Sequence, residues 1–258
     1  MGRLSKDKRD IYYREAKREG FRARSAFKLL QIDDEVGLLR GVRNVADLCA
    51  APGGWSQVLA KRLLEAERED DEEEGGRRQR AQIVAVDQYL MEPIDGVVQV
   101  QGDITHPETV KEVLSHFHGE LADLVICDGA PDATGRADFD EYVQHQLLLS
   151  AQHLASALLR RGGTFVAKIF RGEHTGEVFA MLSRSFGEVL CCKPRASRNS
   201  SQEAFVVCRG FNPPDDFDLA DALYCVDRHE ELSFLGPGAP SLRVPFIACG
   251  SGEGALDA

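Results

Sequence analysis

Short apolar segments alternate with longer amphipathic segments through the middle of the chain. Four runs of five to seven residues, rich in Val, Ile and Ala, have the length and composition of buried strands: Val42–Leu48, Gln82–Val86, Val97–Gln101 and Ala122–Cys127. Apolar residues recur at helical spacing in Ser56–Glu65 and Pro107–Phe117. Strands separated by helices are typical of a parallel sheet in an α/β fold.

The second half of the chain continues this alternation and then ends differently. We expect a long helix over Phe139–Arg160, stopped by Gly162 and Gly163, then a strand over Thr164–Ile169 and a helix over Gly176–Ser185. Two further strand-like segments follow without a helix between them: Val189–Lys193 and Ala204–Cys208. The pattern therefore predicts a mostly parallel, doubly wound sheet with helices on both faces and an antiparallel edge.

Composition shifts divide the chain into three parts. Residues 1–24 are expected to form a basic helical extension, and residues 25–212 the main domain. Residues 66–80 interrupt that domain with a block of like charge, which predicts an exposed insertion without a catalytic role. Residues 213–258 are rich in Gly, Pro and acids, and we expect an acidic tail anchored on the domain by Val244–Cys249.

Two helices are predicted before the first strand. Lys6–Gly20 has a basic, weakly amphipathic pattern, and Ala26–Glu35 follows it after a short break. We expect Ser25 to cap the second helix and Gly37 to lie just past its end.

Charge is distributed unevenly along the chain. The formal net charge is −11, yet residues 1–28 hold ten Lys or Arg against four acids. Residues 65–74 contain eight acids and one Arg, and residues 215–258 contain nine acids and two Arg. Because salt limits the reach of each patch to about 10 Å, the basic N-terminus is able to attract nucleic acid despite the acidic total.

The composition excludes several classes of protein. Hydrophobic residues make up 43% of the chain, as in globular proteins, and no apolar run approaches the roughly 18 residues of a membrane span. The first ten residues lack the apolar core of a secretory signal. Seven cysteines are an odd number and form no C-x-x-C pair, which favours reduced thiols in the cytoplasm and gives no metal site.

Glycines and acids follow the predicted strands at the edge where open α/β sheets bind ligands. The first strand leads into a Pro-Gly-Gly turn at Gly53, and the second ends in Asp87, which suits a ribose diol. Asp103 follows the third strand and Asp128 the fourth, and together these termini indicate a nucleoside-like ligand. Trp55, at the start of the next helix, is expected to pack in the core, to contact the ligand's tail, or to do both.

A lysine within an apolar strand is the main candidate for chemistry. Lys168 lies in the segment FVAKIF, and we expect its burial to lower the pKa of its ammonium group, so that the neutral amine acts as a base toward a hydroxyl. Asp128 and Glu203 supply carboxylates, and Lys28 supplies a second ammonium group.

A second basic cluster surrounds Glu203 in the sequence. It consists of Lys193, Arg195, Arg198 and Arg209. Two interpretations stay open: a solvated loop, or a contact surface for substrate phosphates to which the Ser and Asn residues of SRNSS add neutral donors.

At this point the motifs resemble those of the FtsJ/RrmJ-type ribose 2′-O-methyltransferases. The matching segments occur in order from about residue 7 to residue 210: RSAFKLLQID, VADLCAAPGGWSQVL, QGDIT, LVICDGAPDATG, GGTFVAKIFRG and KPRASRNSSQEAFVV. Within that family the chain is most similar to the eukaryotic branch that acts on the tRNA anticodon loop, and the late segment VPFIACG supports this placement.

The resemblance implies a Rossmann-like methyltransferase with a seven-stranded sheet and S-adenosyl-L-methionine as cofactor. It implies a catalytic tetrad of Lys28, Asp128, Lys168 and Glu203, with Lys168 as proton acceptor. The implied cofactor-binding residues are Gly53, Trp55, Asp87, Asp103 and Asp128. Metals, membranes and DNA play no part in this expectation.

The implied substrate is tRNA, methylated at the first nucleotide of the anticodon loop and at the wobble nucleotide with the help of protein partners. An rRNA ribose methyltransferase and a non-catalytic RNA-binding subunit are the alternatives. We further expect that removal of residues 1–24 abolishes RNA methylation and spares cofactor binding.

Overall fold

Eight strands form one sheet in the computed structural model, which describes residues 11–64, 80–131, 134–198, 201–213 and 240–250. The order across the sheet is 3-2-1-4-5-7-6-8. The strands are β1 Asn44–Leu48, β2 Gln82–Asp87, β3 Val97–Gln101, β4 Ala122–Cys127, β5 Leu159–Phe170, β6 Phe186–Pro194, β7 Glu203–Phe211 and β8 Phe246–Cys249.

Helices cover both faces of the sheet, as predicted. They are α1 Ile11–Arg18, α2 Ala26–Val36, α3 Gly54–Leu59 with a π-helical turn at Ala60–Leu64, α4 Pro107–His116, α5 Ala137–Leu158 and α6 Thr175–Leu182. Neighbouring strand residues such as Val45 and Ala46 belong to two separate buried clusters, one on each face. Strands buried on both faces explain the near-continuous apolar runs in the sequence. Among the helices of the described residues, none is long and apolar enough to cross a membrane.

The direction of β7 brings its first residue to the ligand-binding edge of the sheet. Strands β1 to β5 run parallel, and β7 runs antiparallel between β5 and β6. Phe170, the last residue of β5, therefore pairs with Glu203, the first residue of β7. The carboxyl ends of β1, β2, β4 and β5 and the start of β7 meet at one edge.

The expected end of the long helix at Gly162 and Gly163 is wrong, because both glycines lie inside β5. The helix ends at Leu158, and the pairing of β5 with β4 shifts register just before Leu124. At Gly163 a Cβ atom would lie 2.9 Å from the carbonyl oxygen of Arg160. Gly162 has a φ of +80°, which favours glycine. The two glycines permit an irregular strand rather than a helix stop.

Two further expectations change in detail. Ser25 has helical backbone angles and makes no side-chain capping bond, whereas Gly37 ends α2 in the left-handed conformation as predicted. The sheet has one strand more than the expected seven, because Phe246–Cys249 pairs in parallel with β6. The backbone N–H of Cys191 also donates to the carbonyl of Pro245 at 2.9 Å.

Residues 66–79 of the insertion and most of the tail lie outside the described residues.

Candidate active site

Two lysines and two carboxylates alternate around a closed square at the edge of the sheet. Lys28 Nζ on α2 lies 2.9 Å from Glu203 Oε2 and 3.7 Å from Asp128 Oδ1. Lys168 Nζ on β5 lies 2.6 Å from Asp128 Oδ1 and 3.7 Å from Glu203 Oε2. Each ammonium group thus contacts both carboxylates. The structure brings together all four residues that the sequence proposed as catalytic.

The expected lowering of the pKa of Lys168 is wrong. Burial, which leaves the residue 7% exposed, acts to lower that pKa. The negative charges of Asp128 and Glu203, and a hydrogen bond to Asp128, outweigh the burial and raise the pKa of Lys168 above its ordinary value. Lys168 is therefore an ammonium ion at neutral pH in the free protein.

Glu203 is held as a carboxylate by the same charges. Burial acts to raise its pKa, but Lys28, Lys168 and a hydrogen bond from Ser197 lower the pKa of Glu203 to about 2. Ser197 Oγ donates to Glu203 Oε1 at 2.6 Å. Lys193 Nζ donates to the carbonyl oxygens of Ser201, at 2.8 Å, and of Glu203. The end of β6 thus fixes the backbone of Glu203, and the loop between β6 and β7 fixes its side chain.

Gln144 joins the two strand ends that carry Asp128 and Lys168, and sequence reasoning missed it. Its buried Nε2 on α5 donates to the carbonyl oxygens of Gly129, at 3.1 Å, and of Lys168, at 3.0 Å. The available signal was the polar triplet Gln144, His145 and Gln146 within a predicted helix, but the backbone acceptors of Gln144 leave no trace in the sequence.

A cavity of about 460 Å³ adjoins the square and shares Asp128 with it. Its size falls within the usual range for small-molecule sites. Its lining comes from the ends of the first four strands and from α5: Cys49, Ala51, Asp87, Gln88, Tyr89, Gly102, Asp103, Ile104, Thr105, Asp128, Gly129, Ala130 and Leu147. Three of the five proposed cofactor-binding residues, Asp87, Asp103 and Asp128, therefore line one cavity.

The carboxylates of Asp87 and Asp103 are oriented by the chain itself. Asp87 accepts hydrogen bonds from the backbone N–H groups of Ala51, at 2.8 Å, and Tyr89, at 2.9 Å. Asp103 Oδ1 accepts from the backbone N–H and the hydroxyl of Thr105, which overcome the effect of burial and lower the pKa of Asp103. Two carboxyl groups fixed as acceptors at neighbouring strand ends suit the hydroxyl and amino groups of a nucleoside.

Gly53 and Trp55 lie beneath the cavity wall rather than in its lining. Gly53 has a φ of +105°, and a Cβ there would lie 2.9 Å from Ile94 Cδ1. The buried indole of Trp55 donates to the carbonyl of Ser25 at 2.9 Å, and its ring centroid lies 5.4 Å from that of Phe205. Of the two interpretations of Trp55, its position supports packing under the tetrad.

Arg22 contacts two loops that contribute to the cavity lining, and sequence reasoning missed it as well. Its guanidinium donates to the carbonyl oxygens of Pro52 at 3.2 Å, Glu92 at 2.6 Å and Pro93 at 2.8 Å. Its backbone N–H also donates to Gln57 Oε1 at 2.8 Å. These contacts cross the proposed boundary at residue 24. They conflict with the expectation that removal of residues 1–24 spares cofactor binding.

The second basic cluster is smaller than the sequence suggested. Lys193, near the end of β6, contacts Glu203, and the exposed Arg195 follows the strand and contacts Gly250. Arg209 lies at the opposite end of β7, where it pairs with Thr164 and its guanidinium contacts Glu188 and the carbonyl of Val36. Six residues along β7 separate Arg209 from Glu203 by about 20 Å, so Arg209 does not belong to the cluster.

Comparison with known proteins gives concordant matches. A model of the FtsJ-like methyltransferase family matches residues 21–211. The chain is 52% identical over 252 residues to a tRNA (cytidine(32)/guanosine(34)-2′-O)-methyltransferase of Mus musculus, covering 97% of this chain and 74% of the relative. Identity to the protein of the same name from Schizosaccharomyces pombe is 51% over 254 residues, which cover 98% of this chain and 85% of that relative.

A solved structure matches the fold. The crystal structure assigned to a ribosomal RNA methyltransferase of Plasmodium falciparum superposes with a TM-score of 0.64 and 25% identity. The match covers 75% of this chain and all of that one.

Proposed function

Since the chain belongs to the FtsJ-like methyltransferase family, as its motifs indicated, we propose that it methylates ribose 2′-hydroxyl groups in the tRNA anticodon loop. The observation that carries this proposal is the square of two lysines and two carboxylates that opens, through Asp128, onto a nucleoside-sized cavity. The relatives named for cytidine 32 and guanosine 34 supply the target nucleotides.

The residues around the cavity fit S-adenosyl-L-methionine. Asp87 and Asp103 present oriented carboxylates to the hydroxyl and amino groups of an adenosine. At Gly129 a Cβ would lie 2.9 Å from Cys49 Sγ, so the backbone there has room only for glycine. Asp128 places a negative charge at the end of the cavity next to the tetrad. When bound, the cofactor supplies an electrophilic methyl group on a positively charged sulfur.

The tetrad positions the ribose hydroxyl and handles its proton. Glu203 and Lys28 offer an acceptor and a donor that hold the sugar, and much of the rate comes from such positioning. Lys168 carries a proton in the free protein and must release it before it accepts one from the hydroxyl. A positive charge bound beside Asp128 competes for that carboxylate and lowers the pKa of Lys168 toward the working range of a base.

The two alternatives receive less support. The solved rRNA-methyltransferase structure shares 25% of its residues over 75% of this chain, whereas the tRNA-named relatives share 51–52% over 97–98%. A non-catalytic subunit has no use for two lysines and two carboxylates whose side chains are at most 14% exposed, because well-packed apolar residues stabilise a fold as well or better.

We also propose that protein partners choose the nucleotide. The tetrad recognises a ribose that every nucleotide has, and the exposed cations near it contact phosphates without reading bases. The acidic stretches 65–74 and 215–231, which lie outside the described part of the chain, carry negative charge that repels RNA and suits a protein surface. The cytoplasm remains the proposed compartment on the sequence argument from cysteine.

The test is transfer of a radiolabelled methyl group to unmodified total RNA and to a tRNA transcript, followed by nucleoside analysis. We expect 2′-O-methylated nucleosides in the anticodon loop when a partner is present, and little product from the chain alone. Lys168→Ala is the inactive control. Modification of rRNA alone would favour the first alternative, no transfer in any mixture would favour the second, and robust single-site transfer by the chain alone would remove the partner.

A further inference from the structure

Strand β8 places an aromatic ring with an arginine over it at the surface beside the tetrad. Phe246 is 52% exposed, although it lies in a paired strand. Arg171 follows directly after β5, and its guanidinium carbon lies 5.1 Å from the centroid of the Phe246 ring. An exposed ring with a cation over it is a cation–π pair of the kind that stacks on further planar groups.

The position of this pair relative to the tetrad follows from the sheet register. The backbone N–H of Arg171 donates to the carbonyl of Gln202 at 2.9 Å, immediately before Glu203. On the other side, Phe246 pairs with Cys191 of β6. Two strand spacings and a shift of three residues put the Cα atom of Phe246 about 14 Å from that of Glu203. The register places the two side chains on opposite faces of the sheet, because Phe246 is aligned with Cys191 and Val206 of one buried cluster, whereas Glu203 precedes Ala204 of that same cluster. Arg171 lies just past the end of β5, at the edge where the two faces meet, so a nucleotide that flanks the one held by the tetrad reaches the pair by passing over that edge.

The charge between the two sites is positive. Lys193 lies on β6 between them, and the exposed Arg195 follows it and contacts the carbonyl of Gly250, just past β8. Cations along a groove follow a phosphate backbone, and exposed aromatic rings and guanidinium planes stack with unpaired bases. An anticodon loop offers both phosphates and unpaired bases. The surface therefore fits single-stranded RNA better than it fits a protein segment.

We propose that Arg171 and Phe246 form a stacking subsite for an unpaired base that flanks the methylated nucleotide. The subsite rests on the proposed function, since it presumes an RNA loop in the tetrad. It also gives β8 a role, because β8 lies beyond residue 211, where the family match ends.

The test compares Phe246→Ala with two controls. Phe246→Tyr keeps a stacking ring, and Leu242→Ala removes another exposed apolar side chain, 41% exposed, from the same segment. We expect Phe246→Ala to weaken binding of an unmodified tRNA transcript about 5- to 100-fold, with cofactor affinity and thermal stability retained. Both controls should bind like wild type. Arg171→Lys keeps the charge and loses the planar group, so we expect weakened binding in that variant too.

A transcript with one abasic site at a time locates the stacked base. At one nucleotide that flanks the target, removal of the base should weaken binding to the wild-type protein. Combining that abasic transcript with Phe246→Ala should weaken binding no further than either change alone. Equal binding by Phe246→Ala and Leu242→Ala would overturn the subsite, even where wild type methylates tRNA. Unchanged RNA binding with loss of a partner protein would assign the surface to protein docking instead. Failure of wild type to methylate tRNA would instead overturn the proposed function.

Discussion

Lys168 Nζ lies 2.6 Å from Asp128 Oδ1 and donates a 2.7 Å hydrogen bond to the carbonyl oxygen of the same residue. Side chain and backbone of one aspartate therefore fix the lysine in two directions. Because Asp128 also lines the cavity, the position of the ammonium group is set relative to whatever the cavity holds. This contact is the physical link between cofactor binding and proton transfer in the proposed reaction.

Lys168→Ala should remove turnover and leave cofactor affinity nearly intact. A positioned base contributes about 10²–10⁴-fold to the rate, so its loss should be large. Lys168 is not among the described residues that line the cavity, so cofactor affinity should change little. Lys168→Arg should not restore activity, because a guanidinium group stays protonated. Single-turnover methyl transfer and cofactor calorimetry measure the two quantities. Substantial activity in the Arg variant would show that position 168 supplies charge rather than a proton acceptor.

Glu203→Gln should move the alkaline pH dependence of methyl transfer toward lower pH. Glu203 raises the pKa of Lys168, and a base with a raised pKa becomes competent only as the pH rises. Removal of that negative charge lowers the pKa of Lys168. The rising limb of the plot of methyl-transfer rate against pH should therefore move to lower pH by about one pH unit or more, and the maximum rate should also fall. Ser197→Ala removes a hydrogen bond to Glu203 without changing the charge, and its limb should stay in place. An unmoved limb in Glu203→Gln would contradict the assignment.

Arg22→Ala should weaken cofactor binding about tenfold or more. Its guanidinium holds the carbonyl groups of the loops that shape the cavity wall, and each lost hydrogen bond contributes about 0.5–1.5 kcal/mol. Arg22→Lys should recover only part of the affinity, since one ammonium group lacks the planar fork. Arg18→Ala is the matched control, because exposed Arg18 pairs with Glu15 and Glu19 on the surface. Calorimetric affinities that agree between Arg22→Ala and Arg18→Ala would dismiss this role.

Asp47→Asn should stabilise the protein more at pH 8 than at pH 5. Burial in β1, despite a hydrogen bond from Ser56, raises the pKa of Asp47 to about 7. A carboxyl group with a raised folded pKa contributes stability that is fully present below pH 4 and is lost as the pH rises to 7. The free energy of unfolding falls by about 1.4 kcal/mol for each pH unit in that window. The amide of the Asn variant does not ionise, so its stability does not fall in this way. Thermal unfolding of wild type and Asp47→Asn at pH 5 and pH 8 measures the difference in stability between the two proteins. A stability difference that is no larger at pH 8 than at pH 5 would exclude an ionised Asp47.

The sequence by itself determined the order of strands and helices and the identity of the site's first four strand ends. Apolar runs of five to seven residues mark strands buried on both faces, and parallel strands bring their carboxyl ends to one edge. Asp87, Asp103 and Asp128 therefore had to line one cavity wherever the sheet formed. Glu203 and Lys28 were named from the sequence as a further carboxylate and ammonium group, and their place in a tetrad with Asp128 and Lys168 came from the family resemblance.

Only the tertiary structure decided the sign of the pKa shift at Lys168, the roles of Arg22 and Gln144, and the place of Phe246. Burial and opposite charges shift a lysine pKa in opposite directions, so the outcome depends on distances that a sequence does not contain. Arg22 and Gln144 bond to backbone carbonyl groups, which every residue has and no motif marks. The pairing of β8 with β6 joins segments more than fifty residues apart through backbone hydrogen bonds, and side-chain patterns do not specify such a partner.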